Sequence, residues 1–323
     1  MQEIPYYDFD LDLPPEERWE KIIDEYCDVM AETKIHITKI LANFSFGLNI
    51  VRLASGLINE SNSLHYKEII YIAKRLNMAT HEVLLLQLLY ETSSACTTAI
   101  IKTNKLEFFF RTMDWPMDFL KDITIGLKII SNNRIIGTAV TWVGYVGFLT
   151  ATNIEHKYSI AINYRRVNDM TVNTIINNVY RTISLKWPIG YLVRNIIENN
   201  YNRKTCKDKL INTELISPCY ITMFNPKNKS LIITRDCNQV VDVRFDNLFQ
   251  ANCDCGKTEP NILHSIERVN HVKAIINKIQ ENPDKIVDVN KLIKTITKYP
   301  VVNEETIYVH YQYDDNIYTG IVN

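Results

Sequence analysis

The chain has 323 residues, 46% of them hydrophobic and 23% charged, with a formal net charge of −1. That is enough chain for a sizeable core, built as one large domain or two smaller ones, and the near-neutral balance argues against nucleic acid or an anionic membrane drawn in by an overall field. Only 9 glycines occur, with neither a P-loop nor a GxGxxG among them, which argues against a glycine-lined phosphate cradle.

The first residues, "MQEIPYYDFDLDLPPEERWEK", are acidic and lack the apolar core of a secretory signal. Residues 16–94 then read as helical almost throughout. "PPEERWEKIIDEYCDVMAETK" opens with proline ahead of acidic residues, a helix start. "ILANFSFGLNIVRLASGLI" is the most apolar run, but Asn43, Asn49 and Arg52 interrupt it, so it predicts an amphipathic helix and no membrane span. "SNSLHYKEIIYIAKRLN" and "ATHEVLLLQLLYET" follow as helices. Thr80 is placed as the N-cap of the second, and Leu84, Leu85, Leu88 and Leu89 share one face at helical spacing.

After Cys96 the texture changes to strands. "CTTAII" and "LEFFFR" flank "KTNK", and "ITIGLKII" and "RIIGTAVTW" flank "SNN", two hairpin signals. "YVGFLTAT" and "YSIAINYRR" extend the sheet. A helical block runs from "TVNTIINNVYRTI" through "WPIGYLVRNIIENN" to "KTCKDKLINTEL". Strands return in "PCYITMFN", "KSLIITR" and "QVVDVRFD", then helices in "HSIERVNHVKAIINKI" and "DVNKLIKTITKY", and "ETIYVHYQYDDNIYTGIV" closes as a hairpin. Strand clusters alternating with helix clusters predict an α+β fold of antiparallel sheets with helices outside, and the all-helical first part predicts a separate layer or lobe.

The cysteines number 7, an odd count at irregular spacing, so a disulfide framework is not expected. "CDC" at 253–255 with His264 nearby lacks the second ligand pair of a zinc site. Neither metal nor cofactor is expected.

Cys96 sits where the Leu-rich helix ends and a strand begins. By position it is either a buried core cysteine or a nucleophile. A thiol needs a base to become thiolate, and the nearest histidine in sequence, His81, lies on the preceding helix.

"ETSSACTTAI", "RTMDW", "GYVGFLT", "YSIAINYR", "IGYLVRNIIE", "LIITRD", "FQANCD" and "ERVNHVKAI" occur in this order. From about Pro14 to the end, the ordered set resembles the family of acid ceramidase and N-acylethanolamine-hydrolysing acid amidase, which are N-terminal nucleophile hydrolases, with the acid ceramidase branch slightly closer. The resemblance implies a four-layer αββα sandwich and a self-made cut between Ala95 and Cys96. Residues 1–95 would then be the small α subunit and 96–323 the catalytic β subunit. Cys96 would be the nucleophile, with its own freed α-amine as base; such an amine has a pKa near ~7.7–8.0.

The same resemblance assigns further roles. Arg111 matches an arginine that favours thiolate, Met113 follows it in the motif, and Asp114 matches an aspartate that accepts a hydrogen bond from the new α-ammonium. Asn252 matches the asparagine of "TNYD", whose amide N–H faces the developing oxyanion. Arg268 matches the last arginine of "DDRR", whose first becomes Glu267, and supports Asp114 or Asn252 from behind. Asn163, Tyr164, Trp115 and Tyr145 are assigned to the substrate. Each has a bland alternative: Arg111 a surface arginine paired with Glu107, Asp114 a turn residue, Asn252 a turn cap, Arg268 an exposed helix residue. Two positions depart from the family pattern. Thr112 replaces an asparagine, and Tyr164 replaces the acidic residue of Asn-Glu-Arg, which removes a carboxylate that Arg111 or Arg165 would pair with.

The leading expectation is a cysteine amidohydrolase of N-acylated, ceramide-like lipids. An N-acylethanolamine amidase or other linear-amide hydrolase is the second, and a non-catalytic lipid-binding relative the third. The partners implied are the lipid, a membrane surface touched by the apolar run 40–58, and the chain's own cut pieces, with no nucleic acid. The family is usually lysosomal and disulfide-linked, yet no signal peptide is seen and Cys27 has no C-terminal partner cysteine, so the compartment stays open.

Overall fold

Period-two alternation sorts the strands into two sheets that face each other. The computed structural model describes residues 1–43, 64–167, 181, 186–245, 248–257, 261–282, 284 and 286–322. Most of the apolar run 40–58 and of the helix expected at 171–183 lies outside the described residues.

The strands are β1 (Gln2–Glu3), β2 (Tyr6–Asp10), β3 (Ala95–Lys102), β4 (Glu107–Asp114), β5 (Thr124–Ser131), β6 (Arg134–Trp142), β7 (Thr150–Asn153), β8 (Tyr158–Tyr164), β9 (Cys219–Phe224), β10 (Leu231–Arg235), β11 (Val240–Arg244), β12 (Phe249–Gln250), β13 (Thr306–Tyr313) and β14 (Asn316–Ile321). One six-stranded sheet has the order β1-β14-β13-β4-β3-β12, and one eight-stranded sheet the order β11-β10-β9-β8-β7-β6-β5-β2. The helices are α1 (Glu20–Glu25), α2 (Cys27–Asn43), α3 (Tyr66–Arg75), α4 (Thr80–Ser93), α5 (Phe119–Asp122), α6 (Ile189–Glu198), α7 (Arg203–Asn212), α8 (Ser265–Gln280) and α9 (Val289–Ile296).

Alternation along β3 and β4 decides which side chains meet. Ile100 and Phe109 cluster with Ala161, Phe224 and Ile232 of the facing sheet. Thr98 and Thr222 join the sheets through their hydroxyls at 2.8 Å. Ala99, Ile101, Phe108 and Phe110 pack instead on Val272, Ile276, Leu292 and Ile296 of α8 and α9. The eight-stranded sheet is covered on its other face by α6 and by the N-terminal helices, with Ile129, Ile160 and Ile233 in one core with Ile196, Ile69 and Val83. The result is the four-layer αββα sandwich.

Four local expectations need correction. The first 95 residues are not all helical: β1 pairs antiparallel with β14 and β2 pairs parallel with β5, so the N-terminus supplies an edge strand to both sheets. The alternating "YYDFD" carries that signal, hidden by the helical run behind it. The expected helix after "PPEER" is two helices, broken at Tyr26. "YVGFLTAT" is a strand only from Thr150; residues 145–149 are irregular and follow a turn through Gly144 at φ 86°, where a side chain would be strained. The cap of α4 also moves by one residue, to Ala79, whose N–H donates to Glu82 at 2.7 Å.

A buried ion pair fastens the N-terminal helices to the sandwich. Arg194 of α6 meets Glu68 of α3 in a two-pronged contact at 2.5 and 2.7 Å, and Trp19 Nε1–H donates to the same carboxylate at 2.6 Å. Burial would penalise Glu68 as a carboxylate, but Arg194 holds its pKa below the ordinary value. Removing one partner of such a pair typically costs about 3–5 kcal/mol.

Candidate active site

Cys96 is the second residue of β3, and its side chain is fully buried. The pairing of β3 with β4 sets Thr98 opposite Arg111 and Cys96 opposite Met113. The odd-numbered residues of β4 turn inward, so Arg111 and Met113 reach the sulfur from the same side. Arg111 Nη2 donates to Cys96 Sγ at 3.3 Å and to the Ile162 carbonyl at 3.2 Å. Its Nη1 donates to Thr150 Oγ1 at 2.9 Å, and its guanidinium lies over the Tyr308 ring at 4.9 Å. Met113 Sδ stands 3.5 Å from Cys96 Sγ. No carboxylate touches Arg111 among the described residues, and Glu107 pairs with Lys102 instead. Arg111 is thus a fully buried cation whose nearest ionisable contact is the Cys96 thiol, so ionisation of that thiol supplies its counter-ion.

The even-numbered residues of β4 face the opposite way, toward α8. Asp114 accepts from Arg268 Nη1 at 2.9 Å, from Thr306 at 2.8 Å and from Thr112 at 3.1 Å. Arg268 also donates to Thr97 at 2.7 Å and to Asn252 Oδ1 at 3.0 Å. Asp114 and Arg268 are both fully buried, so Asp114 is no turn residue and Arg268 no exposed one. Thr112, which replaces the family asparagine, spends its hydroxyl on Asp114.

Asn252 follows β12 and lies against the backbone around the nucleophile. Its Oδ1 accepts the Cys96 N–H at 2.9 Å, while its Nδ2 donates to the carbonyls of Tyr164 at 2.8 Å and Ser94 at 3.4 Å. Arg268 can only donate, so it fixes which way the amide points. Two expected contacts therefore differ in the uncut chain. The nitrogen of Cys96 is held by Asn252 rather than Asp114, which is linked to it through Arg268 and Asn252 in turn. The Asn252 N–H is committed to backbone carbonyls rather than aimed at a reacting oxygen.

Burial pushes the Cys96 thiol above its ordinary pKa; Arg111 opposes this and Asp114 adds to it. Burial also raises Asp114, against the pull of Arg268. His310 lies opposite Arg111 across β13–β4 and is pushed down to about 3 by burial and by Arg111, so it stands neutral and offers no charge to the site.

The residues assigned to the substrate divide. Asn163 is at the site: its Nδ2 donates to the carbonyls of Gln250 at 3.1 Å and Cys96 at 3.4 Å. Tyr164 presents its carbonyl to Asn252, while its phenol is raised by burial beside Arg166 and Glu91. Trp115 and Tyr145 make no direct contact with Cys96. They pack on Trp142 at 5.7 Å each, and Trp142 in turn lies 6.3 Å from Tyr90. Tyr145 presses on Gly147 and Gly190, where an added Cβ would overlap it, so in "GYVG" it acts in packing. The carboxylate missing at Tyr164 is made good for Arg165, which binds Asp254 at 2.7 and 2.9 Å and Asp236 at 2.5 Å. Asp254 is the middle of "CDC", a motif read only for its thiols. Among the described residues no three His, Cys, Asp or Glu are grouped to hold a metal.

Several residues escaped sequence reasoning. Tyr90 of α4 places its hydroxyl 3.9 Å from Cys96 Sγ and donates to the Ile162 carbonyl at 2.7 Å. Thr150 and Thr306 supply hydroxyls to Arg111 and Asp114. Nothing in their spacing marks them, because the pairing of sheets and not the sequence brings them in. Arg111 Nε and Asn163 Oδ1, on two residues that touch Cys96, have no hydrogen-bond partner among the described residues. Cys27, by contrast, is exposed and donates only to Asp28.

The family described as beta subunit of N-acylethanolamine-hydrolyzing acid amidase matches residues 2–61. An uncharacterized protein of Acanthamoeba polyphaga mimivirus is 48% identical over 100% of both chains. Acid ceramidase of Homo sapiens is 24% identical over 94% of this chain and 82% of its own. N-acylethanolamine-hydrolyzing acid amidase of Caenorhabditis elegans is 24% identical over 94% of this chain and 87% of its own. A solved structure of the Caenorhabditis elegans N-acylethanolamine-hydrolyzing acid amidase ortholog superposes with a TM-score of 0.55 at 22% identity, covering 67% of this chain and 92% of that one.

Proposed function

This chain belongs to the family of acid ceramidase and N-acylethanolamine-hydrolyzing acid amidase, the N-terminal nucleophile amidases, and on that premise we propose that it is a cysteine amidohydrolase of N-acylated lipids, activated by its own cleavage between Ala95 and Cys96. The observation that carries this reading is the pairing of the Cys96 sulfur with a buried Arg111 that touches no carboxylate among the described residues. A structural cysteine needs no such neighbour, whereas a nucleophile gains its thiolate from it.

In the proposed activation, Cys96 Sγ attacks the Ala95 carbonyl and the acyl group moves from nitrogen to sulfur. Water hydrolyses the thioester, leaving a carboxylate on Ala95 and a free thiol and α-amine on Cys96. Residues 1–95 and 96–323 are then two chains of one enzyme. In turnover the α-amine takes the thiol proton, and the thiolate attacks the amide carbon of the lipid. The α-ammonium protonates the departing amine, and water releases the fatty acid from the thioester. Asn252 Oδ1 holds the α-nitrogen, Arg268 fixes that amide, and Asp114 balances Arg268. Arg111 Nε and Asn163 Oδ1, without a hydrogen-bond partner among the described residues, are polar atoms that a head group or amide can use.

Fluorescent ceramide and N-acylethanolamine analogues test the reading. Hydrolysis of either that disappears in Cys96→Ala supports it, and their ratio assigns the head group. Specific, non-hydrolytic binding of both by the wild type, with equal affinity in Cys96→Ala, would instead make the protein a lipid binder.

A further inference from the structure

We propose that Tyr90 is the positioning residue that holds the Cys96 sulfur, so that the N-terminal segment remains a working part of the active site after the chain is cut. The inference rests on the reading of Cys96 as nucleophile and goes beyond it. Tyr90 lies on α4, ahead of the cut, and Cys96 after it. Cleavage would place the two on separate pieces.

The hydrogen bonds around Ile162 supply the argument. Its carbonyl accepts from the Tyr90 hydroxyl at 2.7 Å and from Arg111 Nη2 at 3.2 Å. A carbonyl satisfied twice can release one donor without being orphaned. The Tyr90 hydroxyl is therefore free to turn from Ile162 to the sulfur, 3.9 Å away, once that sulfur has given its proton to the α-amine. The phenol keeps its own proton throughout. Burial and the neighbouring sulfur hold its ionisation well above the ordinary tyrosine value, so it acts as a donor and never as a rival base. The groups in direct contact with the sulfur are Tyr90 from α4, with Arg111 and Met113 from β4. Asp114 acts from the other face of β4, and neutral His310 stands beside Arg111 on β13.

Retention of the segment does not need a disulfide. All 7 cysteines are free. The edge strands β1 and β2 and the Glu68–Arg194 pair all join residues before the cut to residues after it.

The test uses the cleaved protein with Tyr90→Phe, and separately with 3-fluorotyrosine, a stronger donor, at position 90. Two quantities are followed: alkylation of Cys96 against pH, read by mass on the first peptide of the large piece, and kcat and KM on a fluorescent N-acyl amide. Loss of one hydrogen bond to a charged group predicts alkylation about tenfold slower at neutral pH in Tyr90→Phe. Its pH midpoint moves up and kcat falls with KM unchanged, and 3-fluorotyrosine moves the midpoint down. The proposal is overturned if both proteins keep the wild-type midpoint, or if both move it the same way. Should Tyr90→Phe fail to fold or self-cleave, the fluorinated protein decides alone. Hydrolysis that survives Cys96→Ala would sink the underlying reading, whereas Cys96-dependent hydrolysis with an unmoved midpoint sinks only the role of Tyr90.

Discussion

Replacing Arg111 by methionine separates catalysis from stability. The guanidinium is 3.3 Å from the Cys96 sulfur, and an opposite charge at such range shifts a pKa by about 1–3 units. Burial already raises the thiol. Without Arg111 it rises further, and the thiolate fraction at any pH below its pKa falls about 10–1000-fold. Stability should scarcely move. Thr150 Oγ1 keeps the Tyr308 hydroxyl at 3.1 Å and the Ile162 carbonyl keeps Tyr90 at 2.7 Å, so neither acceptor is orphaned. Removing a buried cation that lacks a carboxylate also removes its desolvation cost. The melting temperature should stay within about 2 °C, a change of about 1 kcal/mol, while self-cleavage, followed on denaturing gels after acid incubation, slows by at least tenfold. A variant that melts much earlier would make Arg111 a structural residue. One that cleaves at the wild-type rate would refute the electrostatic reasoning.

Three further outcomes are expected. Glu91 is fully buried, accepts from the Ile189 N–H at 2.9 Å and from Ser217, and is pushed up to about 7 by burial. A carboxyl raised in the folded state stabilises most below its unfolded pKa and loses that contribution as pH rises toward 7. Glu91→Gln should therefore flatten the loss of stability between about pH 4.5 and 7, worth about 3 kcal/mol, as read from urea unfolding; a parallel pair of pH curves would contradict it. Arg268→Met leaves Asp114 buried without its cation and should cost about 3–5 kcal/mol, partly recovered in the Asp114→Asn, Arg268→Met double variant; equal stability of both would deny the pairing. After cleavage the two pieces should co-elute from a sizing column yet separate on a non-reducing denaturing gel, and Glu68→Ala should weaken the co-elution. A non-reducing band at full length after cleavage would mean a covalent link.

The layers and most of the hairpins were legible because alternation and turn residues are local signals. "YYDFD" alternates as a strand does, but the helical run behind it hides that signal and its neighbour β5 lies far along the chain. Cys96, Arg111, Asp114 and Arg268 could be nominated from ordered motifs, but their division onto two faces of β4 follows from the register with β3. The direction of the Asn252 amide depends on Arg268, 16 positions away, and could not be read from "FQANCD". The fate of Arg165 shows the same limit: its carboxylates, Asp254 and Asp236, come from loops brought together only by the fold.

Intact mass with N-terminal sequencing of the active protein addresses the central claim most directly. Two masses meeting at Ala95 and Cys96, with the larger piece beginning Cys-Thr-Thr-Ala, is the predicted result. A single uncut chain that hydrolyses N-acylated lipids would contradict it.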